Sequence, residues 1–177
     1  MRLMFLGACL LFLGTCQGYV RFTNLKCESL DEKFILFPTC RLNVIGRGVI
    51  AANVYAKLLK LPITRMVMRF NIFRKLNGYH PFLFNVSHEI CHFLKNPNRK
   101  QVFYYFHRAF MSYSNLDHPC PYNHDVVVRN CSLEDKMFKM VPLPKGSYKL
   151  TLELDNGAFK WVGIVSIYLD IDVDKKD

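Results

Sequence analysis

The sequence predicts a mainly β protein, a β-sandwich with one or two short helical inserts. Apolar and polar residues alternate at period two over much of the chain, turn residues cut it into strand lengths, and only two stretches show helical spacing.

Three strand candidates come first: Phe34 to Val44, Val49 to Leu59 and Ile63 to Phe73. Gly46 and Gly48, then Pro62, then Asn77-Gly78 separate and end them. In the third, Met66, Met68, Phe70 and Ile72 share one face, with Arg65, Arg69 and Asn71 on the other, which suits a sheet with one wet side. A short helix is expected from His88 to Lys95, with Ser87 as N-cap and Asn96-Pro97 as its stop. A second helical stripe is formed by Val102, Phe103, Phe106, Ala109, Phe110 and Tyr113. The clearest hairpin comes last. Tyr148, Leu150, Leu152 and Leu154 alternate with polar residues, Asp155-Asn156-Gly157 turns the chain, and Phe159, Trp161, Val165, Ile167 and Leu169 return.

The N-terminus reads as a cleaved signal peptide over residues 1–18. Arg2 precedes an apolar run from Leu3 to Leu13, and small residues follow before Tyr19. That run is well short of the roughly 20 residues a membrane-spanning helix needs. The expected product is a secreted, extracellular chain of residues 19–177 folded as one domain. With 51% apolar and 14% aromatic residues it is too hydrophobic for disorder. The net charge of +10 favours anionic surfaces as partners. Nucleic acid is not expected, because export separates the chain from it and no RNA-binding or basic-helix motif is present.

Export makes disulfides the expected state. Cys9 and Cys16 leave with the signal peptide, and Cys27, Cys40, Cys91, Cys120 and Cys131 remain. An odd number implies two bridges and one spare thiol, and sequence alone does not fix the pairing. The expected pairs are Cys27 with Cys40 and Cys91 with Cys120. Two glycosylation sequons are present, at Asn85-Val86-Ser87 and Asn130-Cys131-Ser132.

His88-Glu89-Ile90-Cys91-His92 matches the H-E-x-x-H string of zinc hydrolases, in which one helix face carries both imidazoles and a general base. Its context argues against that chemistry. The available helix is about two turns long, one central residue is a cysteine expected in a bridge, and no glutamate lies between His92 and Glu134 as a close third ligand. Zinc hydrolysis is thus a minor alternative, and no catalytic residue, metal or cofactor is expected. No G-x-S-x-G elbow or phosphate-cradling glycine loop is present either.

Several segments in order carry a family resemblance: Phe22-Thr23-Asn24-Leu25-Lys26-Cys27-Glu28-Ser29, the stretch from Asn77 to Asn85, the run Cys91 to Asn96, Cys120-Pro121-Tyr122-Asn123-His124-Asp125, and Leu143 to Tyr148. They resemble an insect family of secreted proteins of unknown function, similar to the chemosensory CheB proteins and, more distantly, to the ML (myeloid-differentiation-related lipid-recognition) superfamily. Pro144-Lys145-Gly146-Ser147-Tyr148 looks like the turn into the penultimate strand of ML domains, although the last strand lacks their common cysteine. The resemblance implies an immunoglobulin-like, ML-type sandwich whose sheets splay around an apolar pocket. The implied function is binding of a lipid or other hydrophobic small molecule, including a chemosensory or pheromone-related one.

Met66, Met68, Phe70, Phe82, Phe84, Phe106 and Phe110 are the expected pocket lining, being large apolar groups with methionines that adapt to irregular ligands. The alternative is a protein-binding or receptor-accessory module with a filled core and an exposed patch. A cell-surface receptor and an anionic membrane surface complete the expected partners.

Overall fold

The computed structural model describes residues 19–134, 137, 143–158 and 160–172. The expected signal peptide, Phe159 and the tail 173–177 lie outside them. The described elements run β1 (Tyr19–Ser29), β2 (Ile35–Gly46), β3 (Val49–Leu58), β4 (Val67–Leu76), β5 (Gly78–Glu89), α1 (Ile90–Lys95), α2 (Val102–Met111), β6 (Val126–Ser132), β7 (Gly146–Asp155) and β8 (Trp161–Asp172). They form two antiparallel sheets, ordered β1-β8-β7-β4-β5 and β2-β3-β6. The fold is therefore mainly β, a sandwich with two short helical inserts.

Alternation sets which face each strand turns inward. From β7, Tyr148 and Leu150 enter the main core with Phe70 and Ile72 of β4, Ile167, Leu169 and Ile171 of β8, and Phe22 and Leu25 of β1. Sheet β2-β3-β6 closes over them with Leu42, Ile50, Ala52, Val54, Val128 and Cys131. Burial of each large side chain contributes roughly 1.5–3 kcal/mol. The Tyr148 hydroxyl donates to the Pro144 carbonyl at 2.6 Å, which ties the entry of β7 to its first core residue. On the outer face Arg69 pairs with Glu153 at 3.3 Å, and the buried Asn71 amide donates to Thr151 and Glu153, both at 3.0 Å.

The two sides of the sandwich close differently. On one side the disulfide Cys27–Cys40 staples β1 to β2. On the other, the helices fill the gap between β5 and β6. Cys91–Cys120 fixes α1 to the segment after α2, and that segment hydrogen bonds to β6 through Asn115 N–H to Val127 O and Arg129 N–H to Tyr113 O. These contacts also cover the free edge of β6, which would otherwise invite pairing with another chain. Loops of this length lose about 3–4 kcal/mol of unfolded-state entropy on bridging, in the chain-entropy description.

Three local expectations are corrected. The third strand starts at Val67 rather than Ile63, because Ile63 is drawn into a bridge with Tyr122 of the segment before β6. The first helix starts at Ile90 rather than His88, because His88 and Glu89 are held in β5 by pairing with Met68 and Val67. Its N-cap is Glu89, not Ser87. Finally, Trp161 does not share a face with Val165, Ile167 and Leu169. A bulge at Val162 sets Trp161 opposite Asp155 and reverses its face, so that the Arg69 guanidinium lies 4.2 Å over its ring on the outer side.

Candidate functional site

Helix α2 has no side-chain cap at Gln101, so its stability comes from packing one apolar face. Phe103 meets Phe93 of α1 edge-on at 4.8 Å, and Phe106, one turn on, meets Phe70 of β4 at 4.4 Å. Phe110 and Tyr113 continue the stripe into the main core. Tyr113 then anchors the helix end by donating from its hydroxyl to Glu134 at 2.8 Å.

The seven expected lining residues do not converge on one place. Phe70, Phe82, Phe84, Phe106 and Phe110 join the main inter-sheet cluster. Met68 lies in a smaller cluster with Ile90, Phe93 and Phe103 beneath the helices. Met66 precedes β4 and belongs to a third cluster with Ile63, Tyr122 and Val162, which adjoins that of Met68 at Leu94. Phe70 and Phe106 are buried, whereas Phe82, Phe84 and Phe110 keep partial solvent contact at the margin. Phe82 and Phe84 flank Leu83, which adopts φ 61° in the bulge opposite Ile72; both rings therefore turn inward while Leu83 is exposed. The expected lining set left out Ile72, beside Phe70 in β4, and Phe22, Tyr148 and Leu169 of β1, β7 and β8, which contribute to the same apolar space. A recess of about 280 Å³ at the start of β7 is of another kind, lined mostly by polar and charged residues such as Arg21, Lys145, Asp170 and Asp172.

The His88-to-His92 string does not form a helical metal face. His88 is the penultimate residue of β5, and its imidazole lies on the Phe103 ring at 4.9 Å, where burial lowers its pKa. The Glu89 carboxylate accepts the backbone N–H groups of Cys91 at 3.1 Å and His92 at 2.7 Å, so it acts as a helix cap. Cys91 is bridged to Cys120. His107 of α2 is likewise shifted down by burial, against a weak hydrogen bond to the Leu116 carbonyl.

A second polar cluster occupies the loop between α2 and β6, where no local motif announces it. The Nε2 atoms of His118 and His124 face each other at 2.9 Å, with the Tyr122 ring packed beside both. Tyr122 donates from its hydroxyl to the His118 carbonyl at 2.7 Å, and burial pushes its phenol up to about 12. The spacing of His118 and His124 around Cys120 was the only available signal, and on an irregular loop spacing does not specify geometry.

Residues 68–150 match the family described as "Protein of unknown function (DUF1091)". The matched segment runs from β4 to the middle of β7. It holds both helices, the Cys91–Cys120 bridge, the His118 and His124 pair, and every expected lining residue except Met66. No curated protein matches the chain.

Proposed function

We propose that this chain is a secreted binding protein for a lipid or another hydrophobic small molecule held between the two sheets. The carrying observation is the incomplete closure of the aromatic layer. Phe82, Phe84 and Phe110 are continuous with the Phe70–Phe106 core yet keep partial exposure at its margin. An apolar guest that displaces α2 slightly gains contact with these rings while the β framework stays in place, since α2 rests on packing and not on a capped, self-sufficient helix. The resemblance to CheB and ML proteins points the same way.

The two disulfides, and the absence among the described residues of a helix long and apolar enough to cross a membrane, are compatible with export. Asn85 is exposed on the outer face of edge strand β5, opposite Asn71, so a glycan there would stand clear of the inter-sheet space. The test is native mass spectrometry with organic extraction of the secreted glycoprotein. A reproducible bound lipid or hydrocarbon, lost in Phe84→Asp with the fold retained, is the expected result. An empty protein that takes up nothing from a fatty-acid and hydrocarbon panel overturns the reading.

A protein-binding role has one observation in its favour. The β2–β3 hairpin tip exposes Val44, Ile45 and Val49 around Arg47, an apolar knob that a receptor surface could cover.

A further inference from the structure

We infer that His118 and His124 form a binding site for a borderline divalent metal ion of the Zn²⁺ or Cu²⁺ type. The argument rests on where the four imidazole nitrogens point. His118 Nδ1 lies 2.7 Å from the Pro119 carbonyl, an acceptor only, so this nitrogen carries the proton and donates it. His118 Nε2 is then a bare lone pair.

At His124 the deciding group is Asn115. The Asn115 Oδ1 accepts from Val127 N–H at 2.9 Å, which fixes the amide orientation. Its Nδ2 is 2.8 Å from the Asp125 carbonyl and 3.0 Å from His124 Nδ1, while His124 Nδ1 is itself 2.8 Å from the same carbonyl. These three distances make a nearly equilateral triangle. The two N–H bonds of a planar amide diverge too widely to serve both corners. The satisfactory arrangement has Asn115 Nδ2 and His124 Nδ1 each donating to the Asp125 carbonyl, which has two lone pairs to accept them.

Both Nδ1 atoms are thus protonated and anchored on backbone carbonyls, and two Nε2 lone pairs meet at 2.9 Å. Lone pairs at that distance repel unless an electrophile lies between them. Metal-ligating histidines show this same outer hydrogen bond from the second nitrogen to a carbonyl, and neutral imidazole suits zinc and copper. A tetrahedral ion at ~2.1 Å from each nitrogen sets the two ligands roughly 3.4 Å apart. The rings need to part by only a few tenths of an ångström. The loop is rigid enough to hold them, because Cys120 between them is bridged to α1 and the buried Tyr122 is bridged to Ile63. The Tyr122 ring, packed beside both imidazoles with its hydroxyl donated to the His118 carbonyl, acts as a wall. Among the described residues no group of three or more His, Cys, Asp or Glu converges here, so the remaining coordination positions are left to water or to an incoming ligand.

The test uses the disulfide-bonded protein secreted from cultured cells, with Zn²⁺ alone as probe. Equilibrium dialysis at neutral pH should give one Zn²⁺ per chain. His118→Asn and His124→Asn should each weaken binding by more than the ~10–100-fold that loss of an outer hydrogen-bond partner brings. His92→Asn, exposed on α1, should bind as the unaltered chain does. Absence of uptake, or uptake unchanged in both loop variants, overturns the inference. Should those variants fail to fold, ¹⁵N imidazole spectra of the unaltered protein decide. Zinc should shift both Nε2 signals while both Nδ1–H persist, whereas a proton shared between the Nε2 atoms at saturating Zn²⁺ overturns the site.

Discussion

The ring of Phe106 in α2 lies 4.4 Å from that of Phe70 in β4, tilted by 43°, and this pair seats the helix on the larger sheet. Through it the main cluster of the sandwich connects with the helical insert. The contact makes the helix part of the core, while Phe110 one turn later remains half-buried. Phe106→Ala should lower the unfolding free energy by ~3–5 kcal/mol. Phe110→Ala should cost about 1–2 kcal/mol, in proportion to its smaller buried area. Denaturant titration of both variants checks this, and equal losses would show that α2 presents a different face.

Cys131 is 1% exposed within the main core, and burial first, then the nearby Glu134, pushes its thiol up to about 12. Thiolate is the reactive form, so the native protein at pH 8 should not react with a thiol reagent over hours. One equivalent should react promptly in denaturant without reductant. Fast labelling of the native protein would contradict this placement.

The Asp125 carboxylate accepts the Tyr55 hydroxyl at 2.6 Å and the Leu58 amide at 2.8 Å, joining the loop before β6 to β3. The Tyr55 hydrogen bond first, then the Leu58 N–H, holds this carboxyl below its ordinary value of 3.8, against a smaller opposing effect of burial. A carboxyl depressed on folding stabilises the native state above its unfolded value, and that stabilisation is lost as pH falls through the folded value. Asp125→Asn should therefore melt below the unaltered protein at pH 7, and the gap should narrow progressively once the pH drops under about 4. A gap that is constant from pH 7 to pH 2 would exclude the charged hydrogen bond as its source.

Two turn glycines separate backbone strain from crowding. Gly157 has φ +80°, and a Cβ there would lie 3.0 Å from Arg65 Cγ and 3.1 Å from its carbonyl oxygen. Gly48 has φ +70° with open space around it. Gly48→Ala should cost about 1 kcal/mol from the left-handed backbone alone. Gly157→Ala should cost more, by about another 1 kcal/mol, as Arg65 must move. Thermal unfolding of the two variants measures the difference.

The β7–β8 hairpin was the most legible element, because strict alternation in β7 and the turn at Asn156-Gly157 are both local properties. The turn is longer than a two-residue one, however. Asn156 N–H donates to Lys160 O, and the bulge beyond it moved Trp161 to the wet face, which alternation could not foresee. Helix α2 was legible for a similar reason, as its stripe is written at helical spacing. The start of α1 was not. Ser87 and His88 have acceptable helix-start chemistry, yet pairing of β5 with β4 extends through Glu89 and overrides it. Of the expected lining residues, the five phenylalanines came together and the two methionines did not, since Met66 stands before β4 and Met68 turns toward the α1–α2 junction.

Sequence by itself determined what depends on near neighbours: the β class, two helical inserts, a surplus cysteine and a basic surface. Period and composition carry that information directly. Only the tertiary structure decided which sheet each strand joined, that Glu89 is a cap, and that His118 and His124 meet Nε2 to Nε2. Those outcomes rest on contacts and hydrogen bonds between distant segments or within irregular loops, where residue spacing does not set geometry.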